Sequence, residues 1–395
     1  MSDGPERSEG SSASDTNGAE TRSRPNDTNG AVRITVAGGH SAGHIEPTMN
    51  FADAVRRLEP TAEITALGTV RGLDTTLIPA RGYPLELIPP VPLQRKLNRD
   101  LLATPARLRD SVRAAGAVLD RVRAEVVVGF GGYVAMPAYI AAKRRHIPIV
   151  VHEANARAGV ANRVAARMTP HVFTASSGVK LAHATPVGIP LRPAISDLDR
   201  SALRAEARAR FGLEPDVPVL MVTGGSQGAR AINAAVSGAA GALRRAGVQV
   251  LHIVGPDNVV EVAPGSPPYV VVPFVDQMQY AYAAADFVVC RSGAMTCAEL
   301  GAVGLPAVFV PLPLRGGEQR LNAEPLAAAG AAVIVDNDQF TSTWVEENLL
   351  PIMTDSDRIA RMSAAASRSG ARDADVVLAR HVLDLVADRR RRGPR

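Results

Sequence analysis

The side chain best suited to acid–base chemistry in this sequence is His44. It ends the glycine-rich segment G-G-H-S-A-G-H (38–44), which follows a predicted strand at 32–37. Pro47 and the periodic apolar residues after it indicate a helix. Imidazole titrates near neutral pH, so a histidine held at a helix start in such a turn is a candidate general acid or base. Single histidines are more often structural or solvated, and the residues alone leave both interpretations open.

A second candidate is Glu299, which lies in a pattern typical of nucleotide-binding units. Val288 and Val289 indicate the end of a buried strand, and the residues from Thr296 to Ala302 indicate a helix that ends at Gly304. The start of such a helix offers free N–H groups and a positive dipole end to an anion. A carboxylate one turn inside could accept hydrogen bonds from two ribose hydroxyls. Alternatively, Glu299 only offsets the helix dipole.

A hydroxyl suited to phosphate binding occurs at Ser226. It lies in the loop T-G-G-S-Q-G-A (223–229), between the apolar run 219–222 and a helical pattern that starts at Arg230. Successive backbone N–H groups at the start of this helix could hold a pyrophosphate together with the hydroxyl.

Two further strand ends in the first half carry polar or glycine residues. The apolar run 126–128 leads into G-F-G-G-Y (129–133), and the run 149–151 leads into H-E-A-N-A-R-A-G (152–159). Ligands of open α/β sheets bind at the carboxyl ends of the strands. Together with the segment at 38–44, these ends predict one shared site.

The alternation of apolar runs and helical patterns predicts an α/β protein built from two doubly wound halves that face each other across a cleft. The proline-rich segment 186–193 reads as the linker. We expect a disordered tail at 1–30, a first domain at 31–190, a second at 191–372, a terminal helix at 373–388 and a basic tail at 389–395. No G-x-G-x-x-G is followed by an acidic residue at the expected distance, which argues against a dehydrogenase.

The composition further limits the class of protein and its expected partners. Of 395 residues, 46% are hydrophobic and 21% are charged, which suits a soluble protein with two sizeable cores. The two cysteines, Cys290 and Cys297, are too few for a disulfide framework or a zinc site, so we expect a reducing cytoplasm. The net charge is +5, yet no zinc-finger, RNP or helix-turn-helix signature is present, so nucleic acid is not an expected partner.

One segment is suited to contact with a membrane surface. Leu93, Leu97 and Leu101 alternate with Arg95, Lys96 and Arg99, a mixture of apolar and cationic groups that resembles surfaces resting on anionic lipid. No run approaches the roughly 20 apolar residues that span a bilayer, so this contact would be peripheral. The alternative is an ordinary connecting loop with solvated charges.

Taken together, the motifs closely resemble those of one family. They are G-G-H-S-A-G-H-I-E-P, G-F-G-G-Y-V, H-E-A-N, G-I-P-L-R, G-G-S-Q-G-A-R, C-R-S-G-A-M-T-C-A-E-L and G-E-Q-R-L-N-A, in family order over about residues 32–388. The sequence is similar to the MurG family within glycosyltransferase family 28. The resemblance implies a GT-B fold: two Rossmann-like domains, acceptor and membrane side first and donor side second, with the terminal helix crossing back.

The resemblance also implies an activity and its partners. The family moves N-acetylglucosamine, with inversion, from UDP-N-acetylglucosamine to the C4 hydroxyl of N-acetylmuramic acid in lipid I, the undecaprenyl-pyrophosphoryl-MurNAc-pentapeptide. The product is lipid II, a precursor of peptidoglycan. No cofactor or metal is expected. The expected location is the cytoplasmic face of the cell membrane, on an anionic surface, with the cell-wall synthesis machinery as a candidate partner.

Site roles follow from the motif positions that match the family. His44 takes the general-base role. The residues implied to bind the donor and the acceptor sugar are Ser41, Ala42, Gly43, Asn155, Arg192, Ser226, Val275, Ala294, Met295, Thr296, Glu299 and Gln319. Tyr133 is implied to line the acceptor pocket.

His40 is the main departure from the family pattern, which more often has glycine there. If this backbone position requires a positive φ, histidine tolerates it less well than glycine. A transferase with a variant acceptor is therefore an alternative. Two others are a UDP-N-acetylglucosamine 2-epimerase, because the same scaffold serves both reactions, and a non-catalytic sugar-nucleotide-binding protein, against which the retained His44, Ser226, Glu299 and Gln319 argue.

Overall fold

The computed structural model describes residues 30–91, 100–314 and 316–393, with only the backbone at 100–103. The expected disordered tail, up to residue 29, lies outside the described residues, and so do Leu93 and Leu97. Leu101 is described by its backbone alone. Residues Val32–Arg395 belong to one compact unit.

The first half is a seven-stranded parallel sheet. Its strands are β1 (Arg33–Gly38), β2 (Glu63–Gly68), β3 (Leu85–Leu87), β4 (Val126–Gly131), β5 (Ile149–Glu153), β6 (Val172–Thr174) and β7 (Ala184–Pro186), in the order β3-β2-β1-β4-β5-β6-β7. The helices are α1 (Ala42–Leu58), α2 (Asp74–Ala80), α3 (Asp100–Arg121), α4 (Ala135–Arg144) and α5 (Val160–Ala165).

The second half is a six-stranded parallel sheet. Its strands are β8 (Val219–Thr223), β9 (Gln249–Ile253), β10 (Tyr269–Val272), β11 (Phe287–Cys290), β12 (Ala307–Phe309) and β13 (Ala332–Ile334), in the order β10-β9-β8-β11-β12-β13. The helices are α6 (Pro193–Ser196), α7 (Arg200–Arg210), α8 (Arg230–Gly238), α9 (Ala240–Arg245), α10 (Met278–Ala284), α11 (Ala294–Val303), α12 (Glu318–Ala328), α13 (Ser342–Trp344), a π-helical turn (Val345–Leu349), α14 (Leu350–Met353) and α15 (Ser356–Ser369). The doubly wound fold expected for both halves is confirmed.

Each sheet is buried on both faces, which explains its continuous apolar strands. In β4, Val126 and Val128 enter the hydrophobic cluster on one face and Val127 enters the cluster on the other. In β11, Val288 and Val289 divide in the same way. Parallel sheets covered by helices require such strands, because neither face is solvated.

The last helix, α16 (Ala374–Arg392), crosses back to the first half, as expected. Its apolar residues Leu378, Val382 and Val386 enter the core cluster that contains β1 and α1. Arg57 of α1 forms an ion pair with its Asp375. The helix continues to Arg392 rather than ending at Asp388, so the basic residues 389–392 form its last turn instead of a separate tail.

The chain therefore passes between the halves twice, and the two crossings touch. The first leaves β7 at Pro186 and enters α6 at Pro193, and the second joins α15 to α16. A Cβ on Gly188 would lie 2.5 Å from the Cβ of Ala371, and Gly188 adopts a φ of 94°. Glycine is required here both for its backbone angle and for the close approach.

Candidate active site

The four glycine turns lie at the points where the strand order reverses. The strands β1 and β4 are paired neighbours in the first sheet, and β8 and β11 are paired neighbours in the second. Each of these strands ends in one of the turns identified from the sequence. The turns of the first half also touch, since a Cβ on Gly132 would lie 2.6 Å from the backbone oxygen of Gly39. A switch point of this kind is where open α/β sheets bind ligands.

His44 lies in the first turn of α1 rather than in a loop before it. The helix begins at Ala42 with Ser41 as its N-cap residue, so Pro47 falls inside the helix. The imidazole Nδ1 is 3.0 Å from Ser41 Oγ. A Cβ on Gly131 would stand 3.2 Å from His44 Nε2, so the ring lies against the turn that follows β4.

The protonation state of His44 suits a base. Burial lowers its pKa below the usual value, the nearby charge of His40 lowers it further, and Asp74 acts in the opposite direction. The imidazole is therefore neutral at pH 7. If Nδ1–H donates to Ser41 Oγ, Nε2 carries the lone pair that could take a proton.

A buried carboxylate, Asp74, holds the first glycine turn. Its oxygens accept hydrogen bonds from the backbone N–H of His40 and, at 2.8 Å, from that of Thr69. His40 adopts a φ of 79°, which confirms the positive φ considered from the sequence. Its ring contacts that of Tyr133 edge to face, with centroids 5.0 Å apart. Nothing in the local sequence pattern marked Asp74 as part of this site.

The loop after β5 is organised by Glu153. The strand extends further than predicted, through Glu153, whose buried carboxylate accepts hydrogen bonds from the N–H of Asn155 at 3.0 Å and of Gly159 at 2.9 Å. Asn162 donates to the same carboxylate at 3.0 Å. Burial raises the pKa of Glu153, and these hydrogen bonds oppose that shift. The predicted site residue Asn155 is thus held in place by Glu153, to which the sequence pattern assigns no site role.

On the second half, Ser226 is exposed in the loop between β8 and α8. The loop is tightly folded, because Gly225 and Gly228 have φ values of 85° and 72°. A Cβ on Gly228 would lie 2.0 Å from the backbone oxygen of Val254. Ser226 therefore lies in an exposed, tightly turned loop before α8, a helix whose start could hold an anion.

Glu299 lies in the second turn of α11, which begins at Ala294 and ends in a left-handed Gly304, as predicted for the end. Its Oε2 accepts a 2.7 Å hydrogen bond from Tyr282 of α10. Burial raises the pKa of Glu299, while that hydrogen bond and the charge of Arg192 lower it. The charge of Glu46 on α1, the helix of His44, also raises it, and α1 contacts α11.

Asn322 joins the two halves at this point. Its Oδ1 accepts from the N–H of Ala156 at 2.9 Å, and its Nδ2 donates to the backbone oxygen of Ser292 at 3.3 Å. One side chain therefore contacts both the loop after β5 and the turn before α11. Asn322 lies in α12, and the sequence assigns it no role because its two partners are remote in the chain.

The remaining predicted residues have separate positions. Gln319, at the start of α12, accepts from the N–H of Leu312 at 2.9 Å. Val275 is half-buried and packs against the core of the second sheet. The residues Ala294, Met295 and Thr296 form the first turn of α11.

The arrangement can support transfer of a group between two substrates. One half offers a neutral imidazole at its switch point, and the other offers two helix starts, α8 and α11, with a hydroxyl and a carboxylate. Helix starts stabilise anions such as phosphates. A base on one side and an anion site on the other are the parts that a displacement with a phosphate leaving group requires.

Comparison with known proteins identifies both halves. The model of the glycosyltransferase family 28 N-terminal domain matches residues 34–174, and that of the glycosyltransferase family 28 C-terminal domain matches residues 219–378. Together these matches include every one of the four glycine turns.

Two bacterial relatives carry the name UDP-N-acetylglucosamine--N-acetylmuramyl-(pentapeptide) pyrophosphoryl-undecaprenol N-acetylglucosamine transferase. The protein from Saccharopolyspora erythraea is 58% identical over 357 residues, which cover 90% of this chain and 94% of the relative. The protein from Thermobifida fusca is 54% identical over 362 residues, which cover 91% of this chain and 96% of the relative.

Solved structures share the fold. MurG of Acinetobacter baumannii superimposes with a TM-score of 0.73 at 26% identity, covering 91% of this chain and all 100% of that one. A UDP-N-acetylglucosamine 2-epimerase from Neisseria meningitidis superimposes with a TM-score of 0.61, covering 89% of this chain and 99% of that one. Its identity is 13%, so this second likeness concerns the fold alone.

Proposed function

Because this chain belongs to glycosyltransferase family 28, we propose that it moves N-acetylglucosamine from UDP-N-acetylglucosamine to the C4 hydroxyl of N-acetylmuramic acid in lipid I, giving lipid II. The relatives named for this reaction match it over nine tenths of its length. The single structural observation that carries the proposal is the contact between α1, which holds His44, and α11, which holds Glu299, two helices from opposite halves.

The reaction is a displacement at the anomeric carbon. The acceptor O4 forms a bond to C1 of N-acetylglucosamine, the bond from C1 to the phosphate oxygen breaks, and UDP leaves with the electron pair. Attack from the face opposite UDP inverts α to β. His44 Nε2 takes the proton of the C4 hydroxyl, and Ser41 fixes the ring through Nδ1. A positioned base contributes typically about 10²–10⁴ in rate.

The donor side stabilises the departing UDP. The starts of α8 and α11, together with Ser226, meet the pyrophosphate, while Glu299 binds the ribose. Arg192 and the backbone at Val275 lie near the uracil, and Gln319 holds the sugar hydroxyls beside Ala294, Met295 and Thr296. Loss of one preorganised donor of this kind costs about 10²–10³ in rate. The two halves therefore make comparable contributions.

The acceptor side uses the turns of the first half. Ser41, Ala42 and Gly43 close over the acceptor sugar and its diphosphate, and Asn155 lies across the cleft. Tyr133, which contacts His40, lines the acceptor pocket. The location of this pocket at the carboxyl edge of the sheet supports the role, since both turns end strands at the switch point.

We further propose that this edge rests on the anionic cytoplasmic membrane, with Leu93, Leu97 and Leu101 in contact with lipid. Large apolar side chains are exposed at the end of β3 and in the segments after β2, β4 and β5: Val70, Leu73, Leu87, Tyr133 and Val160. Exposed apolar side chains at one edge suit an interface. Among the described helices, none has the length and apolar character to cross a bilayer. Proteins of the cell-wall synthesis machinery are candidate partners at this surface.

The decisive experiment uses radiolabelled UDP-N-acetylglucosamine and a short-chain lipid I analogue, with label followed into the lipid fraction. We expect transfer by the wild-type protein and a loss of about 10²–10⁴ in kcat in His44→Asn. Tight UDP binding without transfer would point instead to a variant acceptor, for which His40 is the motivating departure. Conversion of the labelled sugar nucleotide without lipid acceptor would indicate an epimerase.

A further inference from the structure

Tyr282 is a buried tyrosine whose hydroxyl contacts the carboxylate of Glu299. Its hydroxyl donates to Glu299 Oε2 at 2.7 Å, and the residue is 2% exposed. The ring belongs to the apolar cluster that also contains Val288 and Leu300. A tyrosine packed in this way has one fixed ring orientation, so its hydroxyl is a donor at a fixed point.

The hydrogen bond leaves half of the carboxylate available. Glu299 is 9% exposed, and among the described residues Tyr282 is the only side chain that donates a hydrogen bond to it. Oε2 is therefore anchored, while Oε1 retains its capacity to accept. An ionised carboxylate has about four acceptor positions on its two oxygens, so ligand hydroxyls can be bound without breaking the Tyr282 contact.

We propose that Tyr282 is a positioning residue for ribose recognition: its hydroxyl fixes Glu299 so that the carboxylate meets the ribose hydroxyls of the uridine nucleotide. The inference rests on the proposed function, in which Glu299 binds the ribose. Tyr282 does not touch the nucleotide itself. It restricts the rotation of a long side chain, whose immobilisation would otherwise cost affinity at the moment of binding.

The charges around Glu299 support this role. The hydrogen bond from Tyr282 and the charge of Arg192 both favour the ionised carboxylate, against burial and the charge of Glu46. An ionised carboxylate accepts from hydroxyls, and such charge-assisted hydrogen bonds are about twice as strong as neutral ones. Loss of the tyrosine hydroxyl would thus weaken both the orientation and the charge of the ribose-binding group.

A merely structural role is the competing explanation, since a buried tyrosine hydroxyl needs a partner in any case. Both explanations predict some loss of stability in Tyr282→Phe. They differ in one respect: a positioning role affects only ligands that carry ribose hydroxyls. The test therefore compares UDP with 2′,3′-dideoxy-UDP, which lacks the groups that Glu299 would bind.

Dissociation constants of both nucleotides are measured by calorimetry for the wild-type protein, Tyr282→Phe and a matched control, Tyr269→Phe. Tyr269 also forms a partly buried hydrogen bond in the second half, between its hydroxyl and His252 Nδ1 at 2.8 Å, and its hydroxyl has no hydrogen bond to Glu299. We expect the wild-type protein to bind UDP roughly 10- to 100-fold more tightly than the dideoxy analogue, the range for hydrogen bonds to a charged group. Tyr282→Phe should weaken UDP about tenfold and the analogue by less than about twofold, and Tyr269→Phe should leave the ratio of the two constants unchanged.

If Tyr282→Phe leaves the ratio of the two dissociation constants unchanged, the proposal is overturned. Equal weakening of both nucleotides would then assign Tyr282 a structural role. If the wild-type protein does not distinguish the two nucleotides, the ribose role of Glu299 fails and Tyr282 fails with it, while the lipid-labelling assay still decides the activity independently. Tyr282→Met, which fills the same space with an adaptable apolar side chain, replaces the phenylalanine variant if that protein does not fold, and the same ratio decides.

Discussion

The backbone N–H of His40 donates a hydrogen bond to Asp74, and this contact holds His40 at a φ of 79°. A residue other than glycine in this region costs of order 1–3 kcal/mol. Asp74 is fully buried and also binds Thr69, so the first residue of α2 maintains the angle of the turn that follows β1. The strained turn and the base His44 thus share one carboxylate as a neighbour.

His40→Gly should therefore stabilise the protein. Relief of the backbone strain exceeds the roughly 0.5–1 kcal/mol that glycine loses through its greater freedom in the unfolded chain, so we expect a gain of about 1 kcal/mol. Urea unfolding measures it. His40→Ala removes the same imidazole but keeps a Cβ, and it should show no gain. If the two variants were equally stable, the backbone at position 40 would not be strained by a side chain, and the prediction would be wrong.

The acid limb of the pH–rate profile should report His44. The base must be neutral, so kcat/KM should fall as the pH drops through the pKa of His44, which lies below 6.5. His40 contributes to that lowering, so His40→Gly should raise the pKa and move the limb to higher pH. His146→Gly is a matched control, because His146 also has a positive φ, of 56°, but lies at the end of α4. If the acid limb keeps its position in both variants, His40 does not influence the pKa of the base, and the prediction is wrong.

Glu299→Gln should stabilise the folded protein and weaken its binding of UDP. Burial raises the pKa of Glu299, so the folded protein binds a proton more readily than the unfolded chain and loses stability as the pH rises through that pKa. The neutral amide avoids this loss. We expect a higher Tm than the wild type at pH 8, an advantage that shrinks as the pH falls, and UDP binding weakened about 10- to 100-fold. The exposed Glu206→Gln should change neither quantity, and a Glu299→Gln protein less stable at every pH would disprove the argument.

Membrane contact is testable with Leu97→Ser combined with Leu101→Ser. Each leucine removed from lipid forfeits about 1.5–3 kcal/mol, so binding to anionic liposomes in a flotation assay should weaken at least about tenfold. Leu58→Ser provides the control, since Leu58 is 38% exposed at the end of α1, on the opposite edge of the sheet. Unchanged flotation of the double variant would return the segment to an ordinary connecting loop.

The fold was predictable because its central strands are buried on both faces and end in glycine turns. The apolar runs Val126–Val128 and Val288–Val289 alternate with helical patterns, and such runs indicate buried parallel strands. The short strands β6 and β7 were not predicted, since three residues carry too little periodicity. The start of α1 was placed too late because Pro47 suggested a first helical position, whereas Ser41 provides the actual boundary.

The site was predictable only in part. His44, Ser226 and Glu299 stand in local motifs, so their types and spacing identified them. Asp74, Tyr282 and Asn322 act through contacts with residues that are distant in the chain, such as the 2.9 Å hydrogen bond between Asn322 and Ala156. A single sequence carries no signal of such a contact, because each of these residues is ordinary in its own element.

The touching of the two crossings at Gly188 and Ala371 makes the second half an insertion into the first, since β1 and α16 both belong to the first core. Two covalent connections that lie side by side define one axis, and they restrict sliding or twisting of the second half away from that axis. A bulkier residue at position 188 would push the two connections apart. It would thereby change the orientation of the second half relative to the first without touching either substrate.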